Sequence, residues 1–216
     1  MAEFTIYIGN KNYSSWSFRG WLMLKQAGAA FDEVVIPIAQ PATRSEILRY
    51  SPSGKVPALA HGPVTVWESL AIGDYLAELF PAAKLWPAAR EARAAARAVS
   101  QEMHAGFPDL RRHFPMNMRS VFERAIIPAA QGDIDRIIAL WRDCRRRFGA
   151  GGDFLFGHFT IADAMYAPVV SRFRTFKIPL DAEADSYAAA VTAWPPYQEW
   201  LAAARKEPMI IEQWEF

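Results

Sequence analysis

The sequence predicts a small α/β unit joined to a larger all-helical one. Three observations carry that expectation. The first 80 residues alternate strand and helix signals in the order β-α-β-α-β-β-α. No strand pair is legible after residue 90. There the texture shifts to long Ala- and Arg-rich helical periodicity, and such a change of class marks a domain boundary. The expected division is 1–80 for the α/β unit, 81–87 for a linker with two prolines and Trp86, and 88–216 for the helical unit.

Each element has a local reason. Phe4 to Ile8 is a short β-rich run. Ser14 to Gly28 has helical character, with Trp21, Leu22, Leu24 and Lys25 ahead of a closing glycine. Phe31 to Ile38 is strand-like through Val34, Val35 and Ile36. Thr43-Arg44-Ser45-Glu46 has capping-box spacing, so a helix is expected to start there and end before Pro52. Ala58-Leu59-Ala60 and Val64-Thr65-Val66-Trp67 flank His61-Gly62-Pro63, which reads as a hairpin turn. Ser69 to Leu79 is helical again. In the second unit, helix breaks are expected near Pro108, Pro115, Pro128, Pro179 and Pro195-Pro196. Gly149-Ala150-Gly151-Gly152 reads as a mobile connector.

Composition excludes several classes. A chain of 216 residues, 52% apolar, is long enough and apolar enough for real cores. A formal net charge of +1 gives no global reason to expect nucleic acid or an acidic membrane as partner. The single Cys144 excludes an internal disulfide framework and a cysteine-based zinc cluster, and fits a reducing cytosol. His61, His104, His113 and His158 lack metal-ligand spacing, so no metal is expected. Arg142 and Arg145-Arg146-Arg147 end a helix, where cations complement the dipole. The glycine run lacks the Lys-Ser/Thr that follows a phosphate loop. No basic-then-apolar leader opens the chain, and no apolar run reaches roughly 18 residues. The expectation is a soluble, cytoplasmic protein with no membrane partner.

The most informative stretch is Gly54-Lys55-Val56-Pro57-Ala58-Leu59, closed by Trp67-Glu68-Ser69. A proline in an apolar, strand-like run removes a ladder donor, so it belongs at an edge, a strand start or a bulge. X-Pro is also the common place for a cis peptide bond, which would leave the N–H and C=O of Val56 facing outward. Ser69 opens a helix, whose unpaired N–H groups attract a carboxylate. One stretch is thereby suited to hold both the backbone and the acid end of an extended peptide.

On these residues the chain resembles a cytosolic glutathione transferase along nearly its whole length. Val56-Pro57 matches the family's cis-proline, and Glu68-Ser69 its acid–serine pair for the γ-glutamyl end of glutathione. Gly157-His158-Phe159-Thr160-Ile161-Ala162-Asp163 resembles its helix-capping signature, in which Thr160 caps and Asp163 returns the bond. Tyr13-Ser14-Ser15-Trp16-Ser17-Phe18-Arg19 resembles the Ser-Ser-Cys-Ser-Trp-Arg motif of zeta-class members, with Trp16 in place of the cysteine. The resemblance implies a thioredoxin-like α/β N-terminal domain, an all-α C-terminal domain, glutathione as co-substrate, a homodimer and a role in detoxification.

The chemistry needs a hydrogen-bond donor to the glutathione sulfur, because a thiol with pKa about 8.5 is mostly protonated at neutral pH. Ser14 and Ser15 follow the first strand and open the first helix, where a hydroxyl and the helix N-terminus both favour a thiolate. Ser14 is preferred, as the first serine of the matched motif; otherwise either serine simply caps the helix. Glu68 is expected to accept from the ligand's α-ammonium, and Ser69 to bind its carboxylate. Lys55 is expected either to reach the glycyl carboxylate or to be a plain surface lysine, with Gln40 and Arg44 as weaker candidates for the same end. The second substrate is expected between the domains, against Met103, Phe107, Arg111, Phe114, Tyr166 and Phe173, unless that apolar stripe is core. Arg111 stands where zeta enzymes carry a glutamine, and a cation there suits an acidic or carbonyl-bearing co-substrate. The first reading is a transferase whose serine-stabilised thiolate attacks a small electrophile. The alternatives are a cis–trans isomerase of the maleylacetoacetate isomerase type, and a non-catalytic glutathione-binding or scaffold protein on the same fold.

Overall fold

The computed structural model describes residues 2–216. Strands β1 (Phe4–Ile8), β2 (Phe31–Val35), β3 (Ala58–His61) and β4 (Val64–Trp67) form one sheet in the order β2-β1-β3-β4. β1 and β2 are parallel, with Phe4 opposite Phe31; β3 runs antiparallel to both β1 and β4. Phe4, Ile6 and Ile8 are buried while Thr5 and Tyr7 are only half so, the period of two that a strand imposes. A parallel pair needs a crossover, and helix α1 (Ser15–Ala27) supplies it. The β3–β4 turn is tighter than expected, because His61 pairs directly with Val64.

Helix α2 (Thr43–Leu48) forms where predicted, but without the capping box. Thr43 is its first residue. The hydroxyl accepts from Gln40 N–H at 2.9 Å and donates to the Pro37 carbonyl at 2.7 Å, closing the preceding turn instead of the helix. Helix α3 (Ser69–Leu79) packs against α1 on one face of the sheet. The Val56–Pro57 bond is cis. Gly20 of α1 faces Pro57 so closely that a Cβ there would lie 3.1 Å from the proline Cγ, which lets the helix rest on the ring.

Six helices follow: α4 (Arg90–Ala105), α5 (Pro108–His113), α6 (Pro128–Phe148), α7 (Ile161–Thr175), α8 (Ala182–Ala193) and α9 (Pro195–Lys206). Pro108, Pro128 and Pro195 open helices, the position where a missing N–H is harmless. α7 is buried along nearly its whole length and makes the centre of this half. It starts with the predicted capping box. Asp163 accepts from the Thr160 N–H at 2.8 Å and hydroxyl at 2.9 Å, and from the Leu155 N–H at 3.0 Å. The glycine run is not a loose connector. A Cβ on Gly152 would sit 1.9 Å from the Gly157 carbonyl oxygen, so residues 149–157 form a close-packed turn. The two halves meet where α1 lies along α7, and fully buried Arg19 donates across the seam to the Met165 carbonyl at 3.0 Å. Among the described residues no helix is long and apolar enough to cross a membrane.

Candidate active site

A cleft of about 570 Å³ opens between the halves, bordered by the loop into α1, the cis-proline turn and the start of α3. It brings together Ser14, Ser15, Lys55, Val56, Pro57, Glu68, Ser69 and Arg111 of the residues expected from sequence. Val56 makes no backbone hydrogen bond within the chain among the described residues, so its N–H and C=O stay open to a ligand strand. Glu68 caps α3 with φ +70° and ψ 129°, a conformation that costs a non-glycine residue about 1–3 kcal/mol and clusters at functional sites. Ser69 is fully buried as the first residue of α3. Gln40 and Arg44 are exposed and stand outside the cleft wall, although Arg44 flanks Gly54.

The two serines differ in their partners. Ser14 is the N-cap of α1; its hydroxyl donates to Ser17 Oγ at 2.7 Å, and Ser17 Oγ in turn accepts the Gly9 N–H at 2.9 Å. Ser15 Oγ accepts from the Arg172 guanidinium at 3.3 Å and keeps its own proton uncommitted. Arg172 is buried and also donates to the carbonyls of Phe114 at 2.8 Å and Pro168 at 3.2 Å.

Three guanidiniums crowd this end of the cleft. Arg19 and Arg111 both stack on Trp16, 4.4 and 4.8 Å from its ring centroid. Arg19 is wholly buried, and both its terminal nitrogens lack a partner among the described residues. Burial, then the charges of Arg111 and Arg172, draws the Arg19 pKa well down. Burial and Arg111 draw Arg172 down to about 9. Arg111 donates through Nε to the Gly106 carbonyl and through Nη2 to those of Met103 and His104, leaving Nη1 without a protein partner among the described residues. His104 lies 3.7 Å from Glu68; burial lowers its pKa, against the pull of Glu68. The site is thus positive and poor in carboxylates at the serines, with Glu68 as its acid.

The apolar stripe does not reach the cleft. Met103, Phe107, Phe114, Tyr166 and Phe173 are buried in the helical core, at most 5% exposed. Met103 comes from α4, Phe107 and Phe114 flank α5, and Tyr166 and Phe173 lie on α7; α4 packs on α7 and α5 on α6, so these side chains meet helices and not the cleft. Trp16, His104, Met116, Arg172 and Trp214 line the cleft instead and were not legible beforehand. Cys144 is buried in α6, and burial pushes its thiol up to about 12. Among the described residues no group of histidine, cysteine or acidic side chains is placed to hold a metal. The basic run is paired: Arg142 with Asp181, Arg146 and Arg147 with Asp143, and Arg147 also with Glu91.

A four-stranded mixed sheet entered through a cis-proline at β3, a helix start behind an acidic residue, and an all-α second half define the two-domain glutathione transferase fold. Residues 13–79 match the family model for the glutathione S-transferase N-terminal domain, and residues 124–203 that for its C-terminal domain. The chain belongs to the cytosolic glutathione transferase family. A glutathione transferase homologue from Burkholderia, solved with bound glutathione, is 25% identical, with TM-score 0.71 over 94% of this chain and 97% of that one. A theta-class enzyme from Xanthomonas axonopodis pv. citri, also with glutathione bound, is 22% identical, with TM-score 0.68 over 93% and 98%. Maleyl pyruvate isomerase, a bacterial zeta-class protein, shares the fold at 20% identity, with TM-score 0.72 over 95% and 100%. A dichloromethane dehalogenase from Methylorubrum extorquens is 43% identical over 58 residues, 26% of this chain. That match spans about a fifth of the relative's length, 20%.

Proposed function

We propose that this chain binds glutathione in the cleft and activates its thiol for attack on a small electrophile. The observation that carries this reading is that one cleft is bordered by Val56, Glu68-Ser69 and the serine pair together, in a chain of this family. Val56 pairs with the peptide backbone. Glu68 accepts from the α-ammonium, and Ser69 with the N-terminus of α3 holds the adjacent carboxylate. Lys55, exposed on the rim, takes the glycyl carboxylate in preference to Gln40 or Arg44.

Hydrogen bonding favours Ser15 as the group that meets the sulfur. The Ser14 proton is engaged by Ser17, whereas Ser15 receives from Arg172 and has its proton to give. A hydroxyl polarised by a guanidinium donates more strongly, and the nearby cations favour a thiolate over a thiol. The Arg111 Nη1 donors also suit an acidic or carbonyl-bearing co-substrate, which is the observation behind an isomerase reading. The experiment is retention on immobilised glutathione together with turnover of aryl halide, haloacid and cis-enoate substrates. Turnover of halides supports the transferase, and turnover of the enoate supports the isomerase. Binding without any turnover replaces both with a glutathione-binding scaffold.

A further inference from the structure

Residues 207–216 lie beyond α9 and beyond the C-terminal family model, which ends at residue 203. This segment crosses back over the loop that carries the serines. The Glu207 carboxylate accepts the N–H groups of Lys11 at 2.6 Å and Asn12 at 2.9 Å. Met209 Sδ accepts from Asn10 at 3.1 Å. Glu215 accepts from the Tyr13 hydroxyl at 2.6 Å and from Arg119 at 3.0 Å. Trp214 packs its ring on Tyr13 with centroids 5.5 Å apart, and its carbonyl accepts from Asn117 at 3.2 Å. Tyr13 directly precedes the serine pair, and its carbonyl accepts the Ser15 N–H at 3.0 Å. Trp214 then joins Pro115 and Met116 in lining the cleft.

We propose that 207–216 is a strap with two tasks. Trp214 is the apolar wall that limits the size of the electrophile, and Glu207 and Glu215 are positioning residues for the serine loop. The proposal rests on the glutathione reading above. The physical case has two parts. Two adjacent backbone N–H groups shared by one carboxylate fix a loop in a way water does not, because charge-assisted bonds are short and directional. The Tyr13 ring packs against the Trp214 indole and the Asn117 amide anchors the Trp214 backbone carbonyl, which gives a fixed boundary, and rigid apolar boundaries discriminate by size.

The test compares the full chain with Trp214→Ala, Glu215→Gln and a chain ending at Lys206. Each is assayed for glutathione affinity by calorimetry and for kcat and KM along a series of halides of increasing bulk. Trp214→Ala is expected to leave glutathione affinity nearly unchanged and to raise kcat/KM for bulky over small halides by about tenfold, the scale of hydrophobic-pocket discrimination. Glu215→Gln keeps the shape and is expected to lower kcat with the KM for glutathione unchanged. An unaltered size preference in Trp214→Ala overturns the wall, and an unaltered kcat in Glu215→Gln overturns the positioning role. Should the shortened chain fail to fold, the two point variants still decide. Loss of glutathione binding in the full chain is a separate result, which removes the glutathione reading and the strap with it.

Discussion

Replacing Ser15 by alanine separates the two serines by chemistry and by stability. Ser15 is 8% exposed, lines the cleft and accepts from Arg172 at 3.3 Å, so its own proton is available for the proposed bond to the glutathione sulfur. A hydrogen bond to a charged group is worth about 1.5–3 kcal/mol. At about 1.36 kcal/mol per factor of ten, its loss in the thiolate-stabilised transition state lowers kcat/KM by about 10- to 150-fold. Ser14→Ala acts on a different quantity. It removes the cap of α1 and one of the two donors to Ser17 Oγ, the Gly9 N–H remaining, which costs about 1 kcal/mol of stability and lowers Tm by about 2–4 °C in a chain of this size. The assay is steady-state conjugation at varied glutathione, paired with thermal unfolding of each variant and with the ultraviolet absorbance of bound thiolate. If Ser14→Ala loses turnover and thiolate while Ser15→Ala keeps both, the assignment drawn from the hydrogen bonds is refuted.

Three further outcomes follow from the same structure. Arg172→Met removes a buried cation in contact with Ser15, so the pH at which bound glutathione ionises is expected to rise by about one unit; an unshifted pH–rate profile contradicts that role. Asp163→Ala leaves three buried donors at Thr160 and Leu155 unpaired and is expected to cost about 3–5 kcal/mol, a denaturant-unfolding measurement in which a loss below 1 kcal/mol contradicts the account. Burial raises the Glu215 carboxyl, but hydrogen bonds from Tyr13 and Arg119 outweigh it and hold the pKa below the ordinary 4.5. A depressed carboxylate stabilises the fold above its unfolded pKa and loses that contribution as pH falls through the folded value. The Tm advantage of the native chain over Glu215→Gln is therefore expected to shrink on acidification, and a pH-independent difference counts against it.

What could be read from the chain itself were features decided within a few residues. The strand and helix order, the Thr160–Asp163 box, the cis Val56–Pro57 bond and the Glu68-Ser69 helix start all rest on neighbours no more than four positions apart. Local hydrogen bonding and X-Pro geometry act at that range, so these features were legible. Thr43 shows the limit even there: its hydroxyl had two local options, and the turn at Pro37 took it. The tertiary structure decided the rest. The partner that distinguishes Ser15 from Ser14 is Arg172, 157 residues away. The stripe from Met103 to Phe173 met helices instead of the cleft, because periodicity defines a face and not what the face opposes. Trp214 reached the site through carboxylate contacts to a loop some 195 residues earlier. Local spacing determined the cis-proline turn and the helix start behind Glu68, and packing at long range determined which charges and side chains surround the serine loop.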